Sequence, residues 1–356
     1  MPLLFRSLPL LHQHLQNRIV VAPMCQYSAE NGYANNWHLV HLGQYALGGA
    51  GAIIQEGTAI SPEGRITYAD LGIWEEGHID KLREITTFIK ERGSVAGIQL
   101  AHAGRKASTE KPWIGRHQIA PDKENGWQTF GPSANAFHPK DHPAVELSEE
   151  GIQEIITQFV TAAQRAIQAG YEIIEIHAAH GYLLHQFLSP LVNERKDKYG
   201  GSFENRIRLT LEVIQAVKET LDTQSLWVRI SATDWADGGW DLEQSVALAK
   251  RLEEIGVEVI DVSSGGAVRH QQIITGPNYQ VAFAEKIKKE TNLITGTVGM
   301  ITEAKQAEKL LKENKADLVF FARKMLREPY FPIHAAKELK ATIRWQEQYL
   351  RGKETY

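Results

Sequence analysis

A single cysteine, Cys25, occurs in the 356 residues. That scarcity excludes an internal disulfide, a zinc site built on several thiolates, and an iron–sulfur cluster held by four cysteines of one chain. An excess of one charge is missing too, since 39 lysines and arginines face 43 aspartates and glutamates, a net of −4. With no broad positive field for a nucleic-acid backbone, a small-molecule partner is expected instead. Long hydrophobic runs are absent as well. The opening MPLLFRSLPLLHQHLQNR is interrupted by Arg6, Pro9 and His12, and no later stretch nears the roughly 20 apolar residues of a membrane span. The expectation is a soluble, cytoplasmic protein with no membrane partner.

What is present is enough apolar material for a large core, 43% of the chain against 23% charged. Eight short apolar, β-branched runs recur, most followed by a segment of helical spacing. They are Arg18 to Met24, Gly51 to Gly57, Ser94 to Leu100, Tyr171 to His177, Ser225 to Ser231, Val257 to Ser263, Asn292 to Val298 and Ala316 to Ala322. Being apolar on both faces, they suit a buried parallel sheet. Helices are expected from Ser148 to Ala169, closed by Gly170, and from Asp241 to Ile255, closed by Gly256. Eight strand–helix units make an α/β fold of the closed (β/α)8 barrel type the leading architecture, as one domain over residues 1–356. A doubly wound open sheet is the runner-up, but Gly48, Gly49 and Gly51 precede a strand, whereas a dinucleotide loop follows one. An irregular insertion at about 101–145 after the third strand reads as a lid loop, and a C-terminal extension occupies about 340–356.

In such barrels chemistry collects at the C-terminal ends of the strands, and unusual polar residues fall there. Strand one ends in Pro23-Met24-Cys25-Gln26-Tyr27, strand three near Gln99 and His102, strand four in His177-Ala178-Ala179-His180-Gly181-Tyr182, and strand eight in Arg323; strand five carries Arg229. The histidine pair suits metal ligands, hydrogen-bond donors or two buried rings bonded to backbone; no carboxylate in HAAHGY completes a ligand set. Arg229 inside an apolar strand requires a negative or accepting partner, either a ligand or an internal salt bridge to Glu175 or Asp261. Cys25 taken alone reads as a small buried hydrophobe. Gly296 and Gly299 around strand seven, with Arg323 before a helix, suit either a phosphate cradle or tight turns.

The stretches NRIVVAPMCQYS, GIQLAHAGRKA, EIHAAHGYLLHQFLSPLVNERKDKYGGSFENR and VRIS span nearly the whole chain. Through them it resembles the flavin-dependent old yellow enzyme family, in the bacterial thermophilic-like branch that includes xenobiotic reductases. The resemblance implies a (β/α)8 barrel, FMN as cofactor, and NADPH- or NADH-dependent reduction of an activated C=C bond by ping-pong turnover. It also implies site roles. Ala22, Pro23, Met24, Cys25 and Gly57 resemble neighbours of the flavin ring, Gln99 its pyrimidine-edge partner, Arg229 the cation beside N1 and O2, and Gly299, Ala322 and Arg323 the phosphate end. Cys25 resembles the thiol that tunes the flavin. His177 and His180 resemble the pair that binds the substrate oxygen, with Tyr27 as a further contact, and Tyr182 the acid that protonates the α-carbon.

Two departures stand out. Ala322-Arg323 replaces the commoner Gly-Arg, and the insertion with Trp113 and Trp127 is long. The ending QYLRGKETY resembles the family's QYxRG terminus, so Arg351 is the candidate for an arginine that reaches a neighbouring subunit's site in a homodimer or homotetramer. The expected function is therefore an FMN-dependent ene-reductase acting on electron-poor alkenes. Its rivals are a non-catalytic flavin- or ligand-binding barrel and a tRNA-modifying flavoprotein, and the latter calls for a basic surface that this composition does not supply.

Overall fold

A computed structural model describes residues 1–353. Eight parallel strands close into a barrel: β1 (Ile19–Val21), β2 (Ala52–Ala59), β3 (Val95–Ala101), β4 (Ile173–Ala178), β5 (Ser225–Ser231), β6 (Val259–Ser263), β7 (Ile294–Thr297) and β8 (Leu318–Phe321), with β8 pairing back onto β1. Seven fall within one residue or two of their expected runs and β1 ends three residues early, because a strand buried on both faces leaves the continuous apolar signature that was read. The helices α1 (Asn36–Leu47), α2 (Ile79–Glu91), α3 (Glu149–Gln168), α4 (Phe203–Lys218), α5 (Leu242–Ile255), α6 (Val281–Glu290), α7 (Ala304–Lys312) and α8 (Phe331–Glu338) follow the strands in turn. Local chemistry sets their ends. Ser148 accepts from the Gly151 N–H at 3.1 Å and Asp241 from the Gln244 N–H at 2.9 Å, while Gly256 closes α5 at φ 91°.

Two apolar clusters divide the work. The larger lies between strands and helices and takes residues of one parity, such as Ile174, Ile176, Val228, Ile230 and Ile260. The smaller fills the barrel interior with the other parity: Val20, Ile54, Val95, Ile173, Trp227, Val259 and Phe320. Leu10 and Leu15 join this inner cluster from a short antiparallel hairpin, Leu8–Pro9 with His14–Leu15, so the interior is stoppered at its N-terminal end. Continuing along the inward parity towards the other end, the next residues are Gln99, Glu175, His177, Arg229 and Asp261. The change from an apolar floor to a polar mouth is written into alternate positions of the same strands.

Gly296, read as serving either a phosphate cradle or a tight turn, lies within β7 and has a packing reason to be small. A Cβ on it would lie 2.3 Å from the Phe320 ring, so its smallness serves interior packing. The segment between β3 and α3 forms a long covering over the mouth, with one two-residue strand pair, Phe130–Gly131 and Val145–Glu146. No helix among the described residues is long and apolar enough to cross a membrane.

Trp227 is fully buried in this floor and donates its indole N–H to Ser225 at 2.7 Å. Trp227→Ala should cost about 3–5 kcal/mol of stability, read as a lowered midpoint in chemical denaturation. A loss under about 1 kcal/mol would show that the floor collapses around the gap.

Candidate active site

The C-terminal mouth of the barrel holds a cavity of about 210 Å³ lined by residues from β1 to β5 and the loops that follow them. Pro23, Cys25, Tyr27, Gly57, Gln99, His177, His180, Tyr182 and Arg229 all contribute to its wall. Sequence positions up to about 200 apart are thus brought together by the barrel's closure. A second cavity of about 720 Å³ opens outward from it, sharing Tyr27, Ile66 and Tyr182, under the covering segment. Cations surround the outer space, among them Lys106, Arg116, Lys140 and Arg269.

His177 ends β4, and its Nδ1 accepts the Ala179 N–H at 3.2 Å, so the ring's proton is on Nε2 and faces the cavity. The chain then turns through His180 at φ 59° and Gly181 at φ 72°. This left-handed pair is costly for a histidine, and several bonds hold it. The His180 N–H donates to Ser231 Oγ at 2.9 Å, the Gly181 N–H to His185 Nδ1 at 2.8 Å, and Lys106 Nζ donates to the His180 carbonyl at 2.7 Å. His180 Nε2 lies 2.8 Å from Ser263 Oγ. Where that hydroxyl donates to the ring rather than to Gln280 Oε1, 3.4 Å away, the ring proton is on Nδ1, free for the cavity. The two imidazoles meet edge to face at 5.2 Å, and Tyr182 stands edge to face with His177 at 5.1 Å.

Burial pushes both imidazoles well below the usual histidine range, with Arg229 and Lys106 adding repulsion to a further proton. They are neutral donors. Burial likewise drives the phenols of Tyr182 and Tyr27 far above the ordinary tyrosine range, and both remain protonated. The Cys25 thiol is raised well above its usual value by burial and by the nearby Asp70 and Glu56, so it is a thiol rather than a thiolate. Lys106, buried beside Arg105, is pulled down to about 7.

Several functional positions escape sequence reasoning. Glu56, inside the second strand, accepts the Gln26 N–H at 2.7 Å and so fixes the Cys25–Tyr27 turn, where Tyr27 has φ 51°. His185 and Asp234 form a buried pair at 2.9 Å that supports the Gly181 turn. Asp70 lines the inner cavity from the loop after β2. The only available signal was a carboxylate inside an apolar run and a histidine three residues beyond Tyr182. Other expected residues stand apart from the cavity. Ala22 packs in the barrel floor, Met24 packs against the outer core, and His102 turns its Nδ1 to the Gly104 N–H at 3.0 Å. Gly299, at φ 124°, follows β7, and Ala322 and Arg323 follow β8; these adjacent strand ends share one rim without lining the cavity. Arg351 is exposed in a turn, Glu347–Gly352, on the outside of its own chain, and Glu354 to Tyr356 lie outside the described residues.

A parallel barrel with neutral histidines, a protonated tyrosine and a buried arginine at its mouth belongs to the class of redox barrels that handle a bound aromatic cofactor. Residues 3–342 match the model of the NADH:flavin oxidoreductase / NADH oxidase family. The chain is 48% identical over 340 residues to an NADPH dehydrogenase of Geobacillus sp. (strain WCH70), covering 95% of each, and 46% identical over 351 residues to that of Bacillus subtilis (strain 168), covering 98% of each. Among solved structures it is similar to morphinone reductase, with a TM-score of 0.79 and 28% identity over 96% of this chain and 91% of that one. It is also similar to a 2-naphthoyl-CoA reductase, with a TM-score of 0.85 and 26% identity, where it covers 94% of itself and about half, 52%, of that longer chain. The chain belongs to the NADH:flavin oxidoreductase / NADH oxidase family, the old yellow enzyme family, and is a flavin-dependent oxidoreductase using FMN and NAD(P)H.

The wall fits that cofactor. A Cβ on Gly57 would lie 3.4 Å from Gln99 Oε1 and 3.8 Å from Cys25 Sγ, filling space that a flat ring needs. Arg229 is held by Asp261, with Nε 2.9 Å from Oδ2, and makes no other ion pair among the described residues. Of the two partners anticipated for Arg229, an internal acid is therefore present, and the cavity on its other side remains for a ligand.

Nitrogen-15 NMR should find both His177 and His180 neutral at about pH 6, protonated on Nε2 and Nδ1 respectively. An imidazolium signal from either ring would contradict the assignment. Because their folded pKa values lie below the unfolded value of about 6.5, the folded state binds fewer protons, and stability should fall as pH drops through that value.

Proposed function

We propose that the chain is an ene-reductase, taking NADPH as reductant and α,β-unsaturated carbonyl or nitro compounds as oxidant, with the site roles set out below. The observation that carries this reading is the convergence of two neutral N–H donors and a protonated phenol on one cavity that also presents Cys25, Gly57, Gln99 and Arg229. FMN, held at its ring by Gly57, Gln99 and Arg229, would supply the hydride-transfer chemistry between nicotinamide and an electron-poor carbon.

The chain's own groups do the rest. His177 Nε2–H and His180 Nδ1–H grip the carbonyl or nitro oxygen, with Tyr27 as a further contact. Their bonds strengthen as negative charge gathers on that oxygen, which favours the transition state over the ground state. Neutral imidazoles suit this work because they donate without handing over a proton early. Tyr182 delivers a proton to the α-carbon; a phenol held protonated by burial gives it up only to a strongly basic carbon. Arg229 offsets the negative charge that a reduced pyrimidine ring carries. Gly299, Ala322 and Arg323 form the rim for the FMN phosphate, and Arg323 has no ion pair of its own among the described residues. Arg116, Lys140 and Arg269 around the outer cavity suit the 2′-phosphate of NADPH, which NADH lacks. Arg351, turned outward, is available to a neighbouring subunit of a homodimer or homotetramer.

Tyr182→Phe should leave anaerobic bleaching by NADPH within a few-fold of the parent while slowing cyclohexenone reduction by roughly 10²-fold or more. Equal loss in both half-reactions would move Tyr182 to cofactor binding. The pair Arg116→Gln and Arg269→Gln should raise KM for NADPH by about 10-fold and change that for NADH little. A protein that takes up FMN yet fails to bleach with either nicotinamide would be a binding barrel instead.

A further inference from the structure

Beneath the histidines lies a layer whose side chains face inward on neighbouring strands. Gln99 on β3 is in register with Glu175 on β4, and His177, Arg229 and Asp261 are in register across β4, β5 and β6. Glu175 is wholly buried, and its Oε1 accepts from Gln99 Nε2 at 2.7 Å. Its Oε2 and both oxygens of Asp261 have no hydrogen-bond partner among the described residues. Two carboxyl groups in so dry a place, beside one guanidinium, are expensive unless they do something for the surface they support.

A glutamine amide has a donating end and an accepting end, and whichever end is anchored dictates what the other presents. The Glu175 oxygen takes the NH2 end. Gln99 Oε1 is thereby turned to the cavity, beside the space left by Gly57. Asp261 meets Arg229 as an ion pair, Oδ2 lying 2.9 Å from Nε, and Arg229 lines the cavity beside Gln99. The wall therefore shows an acceptor next to donors. We infer that Glu175 is a positioning residue that sets the polarity of Gln99, so that the cavity wall selects a ring edge carrying an N–H beside a carbonyl oxygen, as the pyrimidine edge of a flavin does. This rests on the seating of FMN in the inner cavity. Burial and the nearby Asp261 both raise the Glu175 carboxyl, opposed by Arg229 and Gln99. An ionised Glu175 accepts at both oxygens, and a proton on Oε2, the oxygen without a partner, leaves Oε1 accepting from Gln99; only a proton on Oε1 would free Gln99 as the amide of Glu175→Gln does.

In Glu175→Gln the anchor itself has two ends, and Gln99 is free to turn over. The test compares FMN with 3-deaza-FMN, in which the ring N3–H becomes C–H without change of shape, by flavin-fluorescence quenching on the apoprotein. The parent should bind the analogue roughly 10- to 100-fold more weakly than FMN, and Glu175→Gln should bring that ratio to about 3-fold or less. Asp261→Asn disturbs the same layer without touching the Gln99 anchor, so it should weaken both flavins and keep the ratio. An unchanged ratio in Glu175→Gln, or a ratio near one in the parent, would overturn the inference. Uptake of neither flavin by the parent would instead remove the FMN reading itself. Should Glu175→Gln not fold, neutron diffraction of the unaltered holoprotein decides the matter. Deuterons of Gln99 directed at Glu175 support the assignment, and deuterons directed at the flavin refute it.

Discussion

Burial of the Arg229 guanidinium inside a closed barrel governs the rest of the site. A fixed positive charge at 6% exposure needs negative charge close by. Asp261 supplies it from one side at 2.9 Å, in register on the adjacent strand, and leaves the other side as a place of positive potential at the mouth. Burial keeps His177 and His180 neutral, the same charge adds to that depression, and it opposes the rise of the Glu175 carboxyl beneath. One ionic contact thus works with burial to set the protonation states of the groups at the mouth.

The strand ends then divide into parts that are held and parts that cover. The left-handed turn at His180 and Gly181 is fastened by Ser231, His185 and Lys106, and a Cβ on Gly181 would lie 2.0 Å from the Gly266 carbonyl oxygen. Loops from two strands therefore meet backbone to backbone, and the imidazole donors are set by main-chain contact. Tyr27, by contrast, rests edge to face on Trp113 of the covering segment at 6.0 Å. The histidine pair belongs to the frame, and Tyr27, in the loop after β1, leans on the cover.

Much of this was readable beforehand, for identifiable reasons. The barrel strands are apolar on both sides, and that pattern needs no partner to be recognised. Cys25, Gln99, the HAAHGY segment and Arg229 fall where strands end, so the barrel rule gathers them without further knowledge. Glu175 and Asp261 appeared only as a possible internal pairing for Arg229; the further task inferred for Glu175, turning the outward face of Gln99, depends on register that no single strand displays. Lys106, His185, Glu56 and Asp70 act through contacts between distant segments, and their local sequence gives no periodic or motif signal. Gly296, left open between a phosphate cradle and a tight turn, sits against the Phe320 ring, a packing reason that its place in the sequence does not display.

The stoppered floor also shapes traffic. With Trp227, Phe320, Leu10 and Leu15 filling the N-terminal end, a nicotinamide and, on the function proposed, an alkene would come and go by one doorway under the cover, in turn. Such a corridor makes crowding self-defeating. A sluggish guest, or too much of either one, bars entry to its counterpart, and throughput comes to depend on departure as much as on reaction.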